Sequence, residues 1–163
     1  MMNSSQSILE RLKALQSSEF VIHQPTSQQN LEEIERQYHL NFPDDYKQLM
    51  LYSNGFALYN ESQLLLHSIM ELNAFADEDI MNYMPGIFVI GSDAGGNLYY
   101  FDLNNRLGYG NYAIFLVPPS ELSFDDSIFV GHAITEVITN ILNGERFFYR
   151  PRYGELRDHG SSS

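Results

Sequence analysis

The hydrophobic pattern of this chain predicts an α+β fold, an antiparallel sheet meander with helices packed on one face. Three observations carry that expectation. Apolar residues recur at helical spacing near both ends: Leu31, Ile34 and Tyr38 share one face, and Ile134, Val137, Ile138, Ile141 and Leu142 follow i, i+3, i+4, i+7, i+8. Between these helices lie short β-rich runs at 87–91, 97–102 and 112–117, separated by turn-forming residues. Helices, then consecutive strands, then a closing helix is the order of a layered α+β domain rather than of alternating βα units.

The elements follow from local chemistry. Ile8, Leu9, Leu12 and Leu15 make a short amphipathic helix over about 5–16. Phe20-Val21-Ile22 reads as a short strand or an extended link. Thr26 or Ser27 caps the next helix, which runs to about His39. Asn41-Phe42-Pro43 forms a corner, and Pro43 suits the first turn of a second helix over about 43–53, where its missing N–H is harmless. Asp44 and Asp45 then sit at the positive end of that helix dipole. Asn54-Gly55 supplies the left-handed residues that end it. Gln63 to His67 reads as a strand, although so short an apolar run also admits a helix. A helical piece around Met70–Phe75 and a loop at Asp77-Glu78-Asp79 follow. The strands at 87–91 and 97–102 flank Ser92-Asp93-Ala94-Gly95-Gly96, a hairpin in which Gly95 or Gly96 supplies positive φ. Asn104 to Gly110 is a loop, Pro118-Pro119 terminates the third strand, and Asn143-Gly144 stops the last helix.

Composition narrows the function classes. A chain of 163 residues suits one domain, with a core over about 8–143 and a C-terminal extension over 145–163 that is partly loose. The 11 Tyr and 11 Phe argue against disorder. No apolar run approaches the roughly 20 residues of a spanning helix. Residues 1–6 lack the basic and apolar regions of a signal peptide, so a cytoplasmic protein is expected and no membrane partner. The absence of Cys excludes a disulfide framework and thiol chemistry.

Charge is uneven within a formal net of −12. From Glu61 to Glu136 there are 11 acidic residues, and Arg106 is the one Lys or Arg among them. Such a field repels nucleic acid and attracts a basic protein. Ordinary solubility accounts for it equally well. Catalytic chemistry is absent from the pattern. None of the five His residues pairs with another at metal-ligand spacing, Ser92 is not in a Gly-x-Ser-x-Gly elbow, and 91–96 lacks the Lys of a phosphate loop. Asp77-Glu78-Asp79 lacks the alternating ligands of a calcium loop and reads as a solvated turn. No metal, no cofactor and no intrinsic catalysis are expected. Tyr99 and Phe101 share one strand face and Tyr100 the other, so one set is core and the other is either covered or exposed for binding.

The order of parts resembles the SUKH superfamily, the group of Smi/Knr-like regulators and many bacterial immunity proteins. The resemblance rests on a Glu-rich helix with Glu32 and Glu35, the corner Phe42-Pro43-Asp44-Asp45-Tyr46-Lys47, and a helix ending in Asn54-Gly55. It continues through the strand–turn–strand 87–102 with its Gly95-Gly96 turn, and the late helix near 133–142. Departures are Phe42 where Leu is usual, Phe56 where a second small residue is usual, and Asn97 where Asp is usual. The last weakens any polar role carried over to the hairpin. The resemblance makes Phe42, Pro43, Tyr46, Asn54, Gly55, Gly95 and Gly96 structural. It implies a non-enzymatic immunity protein that binds a cognate toxin, a nuclease being the leading partner. The alternative is a regulatory or scaffolding module of the Smi/Knr-like type. The residues expected to meet a basic partner are Asp77, Glu78, Asp79, Asp93, Asn97, Tyr99, Asp125 and Asp126.

Overall fold

The structure is a computed structural model that describes residues 4–76 and 80–148. Seven strands form one antiparallel sheet in sequence order: β1 Phe20–Ile22, β2 Phe56–Leu58, β3 Leu64–Leu66, β4 Ile87–Ser92, β5 Leu98–Asp102, β6 Ala113–Val117 and β7 Ile128–Gly131. Six helices accompany them among the described residues: α1 Ser4–Lys13, α2 Gln28–Tyr38, α3 Asp44–Tyr52, α4 Ile69–Ala76, α5 Ile80–Tyr83 and α6 Ile134–Leu142. The α+β expectation holds. Strands β2 and β7 are additions, each too short to show a period in the sequence.

Most helices cover one face of the sheet. Ile8 and Leu12 of α1, Leu31 and Ile34 of α2, Tyr46, Leu49 and Met50 of α3, and the Ile134, Val137, Ile138 and Ile141 stripe of α6 bury against Phe88, Tyr99, Phe101, Ile114 and Leu116. Each fully buried aliphatic side chain of this kind contributes about 1.5–3 kcal/mol. The opposite face carries a smaller cluster of Ile87, Val89, Leu98, Tyr100, Phe115 and Val117. Met84 and the loop residues Leu107, Leu122 and Phe124 cover it. Tyr99 and Phe101 therefore face the helices, and Tyr100 is buried on the other side with its hydroxyl donating to Ser127 Oγ at 2.8 Å. Both faces are covered, so all five residues of β5 are buried, Asp102 included.

The residues that carried the family resemblance are joints of this frame. Ser27 caps α2 by accepting from the Asn30 N–H. Glu35 Oε2 accepts from the Phe42 N–H at 2.8 Å and lies 3.5 Å from Lys47 Nζ, so it fixes the α2–α3 corner. Asp45 Oδ1 accepts from the Tyr46 N–H at 2.9 Å. Its Oδ2 accepts from the N–H and hydroxyl of Thr135, at 3.2 and 3.0 Å, and so caps α6 from across the core. Asn54 Oδ1 accepts from the Ile69 N–H at 2.9 Å and starts α4. Gly55 has φ 76, and a β-carbon there would lie 2.5 Å from the Leu66 carbonyl oxygen.

One expectation at a helix end is corrected. Helix α3 stops at Tyr52 and Ser53 is extended, so Asn54 is not left-handed and Gly55 alone has positive φ. The left-handed cap belongs instead to His39, φ 56, at the end of α2. In the β4–β5 hairpin the positive φ falls on Gly96, at 85, and not on Gly95. Phe147 and Phe148, at the start of the C-terminal extension, pack against the helix-side core.

Candidate functional site

A meander places alternate connections at the same end of its sheet. Here the β2–β3 (59–63), β4–β5 (93–97) and β6–β7 (118–127) connections share one end. They contain Glu61, Asp93, Glu121, Asp125 and Asp126, and no Lys or Arg. The opposite end has the β1–β2 connection, with Glu32, Glu33, Glu35, Asp44 and Asp45, and the 103–112 loop, whose Arg106 guanidinium carbon lies 4.2 Å from the Phe124 ring centroid on the β6–β7 connection. Topology thus gathers five carboxylates that lie up to 65 positions apart in sequence. The hairpin tip adjoins the start of the β6–β7 connection, where a β-carbon on Gly96 would lie 3.9 Å from Pro119 Cγ.

Strand β7 ends at the far end of the sheet, α6 runs back, and residues 145–148 arrive beside the β2–β3 and β4–β5 connections. Asn60 Nδ2 donates to the Ile141 carbonyl at 2.7 Å. Buried Ser62 donates to the Glu145 carbonyl at 2.8 Å and accepts from the Phe147 N–H at 3.0 Å. These bonds fix one wall of a groove of about 580 Å³. Glu61 and Gln63 line it on one side, Asp93 and Asn97 on another, and Arg146, Phe147 and Phe148 close it. Arg146 Nε lies 3.5 Å from Glu61 Oε2, with the two side chains 55% and 57% exposed.

The expected site residues divide clearly. Asp93 and Asn97 line the groove, whereas Asp125 and Asp126 lie on the β6–β7 connection, whose Leu122 and Phe124 pack over the second face of the sheet. Asp77, Glu78 and Asp79 lie outside the described residues. Tyr99 is corrected: it is fully buried beneath the groove, donates its hydroxyl to the Gln63 carbonyl at 2.6 Å, and is core rather than surface. Burial, with the Asp93 charge adding to it, holds its phenol far above the ordinary tyrosine range.

Asp93 and Asn97 first hold their own hairpin. Asp93 Oδ1 accepts from the Gly95 and Asn97 N–H groups, both at 2.9 Å, and Oδ2 accepts from Asn97 Nδ2 at 2.7 Å. The unusual Asn97 has a reason here: an Asp would set two carboxylates face to face. Asp126 bonds Ser123, its Oδ2 accepting from the Ser123 hydroxyl at 2.6 Å, in a turn that leads into β7 and not into α6. Glu121 and Asp125 are exposed. Glu61, Glu121, Arg146 and the two Phe residues were missed as site residues. Their signal is the parity of the meander, visible once β2 and β7 are known.

Among the described residues no three His, Asp or Glu side chains converge to hold a metal ion, and no helix is long and apolar enough to cross a membrane. His67 is buried and stacked on Phe75, with ring centroids 4.6 Å apart, and lies away from the groove. A family model described as the SMI1 / KNR4 family (SUKH-1) matches residues 25–139, well over half of the chain. The chain belongs to the SMI1 / KNR4 (SUKH-1) family. A relative, the uncharacterized protein YnaB of Bacillus subtilis (strain 168), is 30% identical over 102 residues, which is 60% of this chain and 67% of YnaB. The SUKH-1 span takes in the joints at Glu35, Asp45 and Asn54 and all three acidic connections. It stops before Arg146, Phe147 and Phe148, so the closing wall of the groove lies outside the part matched to the family.

Proposed function

We propose that this chain is an immunity protein, a non-enzymatic cytoplasmic binder that neutralises a basic toxin domain by capping it with the acidic end of the sheet. The observation that carries this reading is that Glu61, Asp93, Glu121, Asp125 and Asp126 lie on three connections that hold no Lys or Arg of their own, so five carboxylates outnumber the two cations that lean on them, Arg146 at Glu61 and Arg106 at Phe124. A one-sign patch steers an oppositely charged partner and raises its capture rate. Family membership supports the reading, because the resemblance to immunity proteins runs through the same frame. The rigid sheet presents these loops without a folding cost on binding.

The test is the association rate with the toxin encoded by the neighbouring gene, measured at low and moderate salt. Reversing Glu121, Asp125 and Asp126 to Lys should slow capture roughly 10-fold or more at low salt and flatten the salt dependence. Reversing exposed Glu32 and Glu33 on α2 is the control and should change little. Equal rates for both variants would refute the acidic end as the docking face.

A further inference from the structure

We propose that the groove between the β4–β5 hairpin and residues 145–148 receives an arginine side chain of the basic partner, and that Arg146 is a resident stand-in displaced when it enters. The identity of the partner rests on the immunity reading above; the chemistry of the groove does not. Four observations meet there. The cavity, about 580 Å³, is ample for one long side chain. Glu61 and Asp93 bring two carboxylates to it from different connections. A carboxylate offers about four acceptor positions. Asp93 uses three of them on its own hairpin and Glu61 meets Arg146 through one oxygen, so acceptor capacity remains. Phe147 and Phe148 supply apolar, aromatic walls against which the stem and the cation can lie.

The fourth observation is Arg146 itself. A guanidinium already stands against Glu61, which shows what the groove accepts. The backbone around it is firmly held by Ser62, while its side chain is more than half exposed and its ion pair is of the weak surface kind. A partner arginine pairs with the same carboxylate, and Arg146 swings outward. Arginine fits better than lysine because its flat fork both pairs with carboxylates and stacks on rings. The groove wall lies outside the family-matched span, which suits a feature that selects one partner among many.

The probe is N-acetyl-arginine amide, titrated into the full chain and followed by amide NMR, with N-acetyl-norleucine amide as the uncharged stem. Saturable shifts of the Asn97 and Gln63 side-chain amides and the Phe147 N–H are expected with the arginine probe alone. Arg146→Ala should tighten probe binding about fivefold, and Glu61→Gln should weaken it by a similar factor. Both positions are exposed, and matching melting curves show that the variants are folded. No shifts, or equal shifts with norleucine, overturn the arginine site. Unchanged or weaker binding by Arg146→Ala overturns the stand-in role. If the loop reversals slow toxin capture while the probe fails to bind, the immunity reading stands and this inference falls. If the probe binds and the toxin is not captured, the reverse holds.

Discussion

Replacing Asp45 by Ala should unfasten α6 from α3 without touching the acidic end. One carboxylate there serves three donors: the Tyr46 N–H at 2.9 Å, the Thr135 N–H at 3.2 Å and the Thr135 hydroxyl at 3.0 Å. Helix α6 has no capping side chain of its own, because Ala133 occupies its cap position. Loss of a helix cap costs about 1 kcal/mol, and a hydrogen bond to a charged group about 1.5–3 kcal/mol. These terms overlap, and water reaches the partly buried site, so the expected loss is about 2–3 kcal/mol. For a chain of this size that lowers Tm by roughly 4–12 °C. Asp45→Asn keeps one acceptor oxygen and loses the charge, and should cost about half as much. Urea unfolding of Asp45→Ala, Thr135→Val and the double variant closes a cycle, with an expected coupling above about 0.5 kcal/mol. An Asp45→Ala protein that melts within about 1 °C of the parent, or a cycle with no coupling, would refute the cross-element cap.

Three further substitutions test the frame and the hairpin. Tyr46 is fully buried with no partner for its hydroxyl among the described residues, so Tyr46→Phe should raise stability by about 1 kcal/mol in a melt; a loss would reveal a hidden partner such as buried water. Asn97→Asp should destabilise by about 1–2 kcal/mol at neutral pH and recover as the pH falls toward the carboxylate range, because the Asp93–Asn97 contact of 2.7 Å becomes a like-charge pair; a pH-independent loss would point to another cause. Burial lowers the His67 pKa below its ordinary value, and Glu71 opposes this in part. The folded state therefore binds fewer protons than the unfolded state below about pH 6.5, and stability falls from there toward the lowered folded pKa. His67→Leu should flatten that slope in urea melts at stepped pH, and an unaltered slope would acquit His67.

The long periodic elements were legible because a helical stripe of four or five aliphatic residues has few alternatives. Helix α6 and the α2–α3 pair are of this kind, and the Ser92–Gly96 turn was legible from its glycines. Strands β2 and β7 were not. Phe56-Ala57-Leu58 is three residues and Ile128-Phe129-Val130-Gly131 four, and neither is long enough to show alternation. Their pairing energy comes from neighbours that are remote in sequence. Missing them hid the parity of the meander, and with it the meeting of Glu61 and Asp93 at one groove. Tyr99 was misplaced for a related reason. Period-2 logic separates Tyr99 from Tyr100 but cannot say that loops bury the second face, which makes β5 internal on both sides.

The net charge of −12 is a poor guide to what a partner meets. Several carboxylates are committed to backbone donors. Glu35 holds the corner at Phe42, Asp45 the start of α6, Glu71 the first turn of α4 through the Ser68 N–H, and buried Asp102 the turn at Arg106 and Leu107. These carboxylates, and Asp93 in its hairpin, satisfy N–H groups that would otherwise lack a partner, which fixes where their charge sits. Screening then limits the rest, since at physiological salt an exposed charge acts over about 8 Å. A partner approaching the sheet end feels the carboxylates of three adjacent connections and little of the acids elsewhere. The one Arg in the acidic stretch reaches one of these connections, with its guanidinium carbon 4.2 Å from the ring centroid of Phe124, next in sequence to Asp125. What distinguishes this surface is therefore placement rather than quantity: an antiparallel meander of even regularity brings every second loop to one end, and acids on those loops add their fields where acids scattered over helices do not.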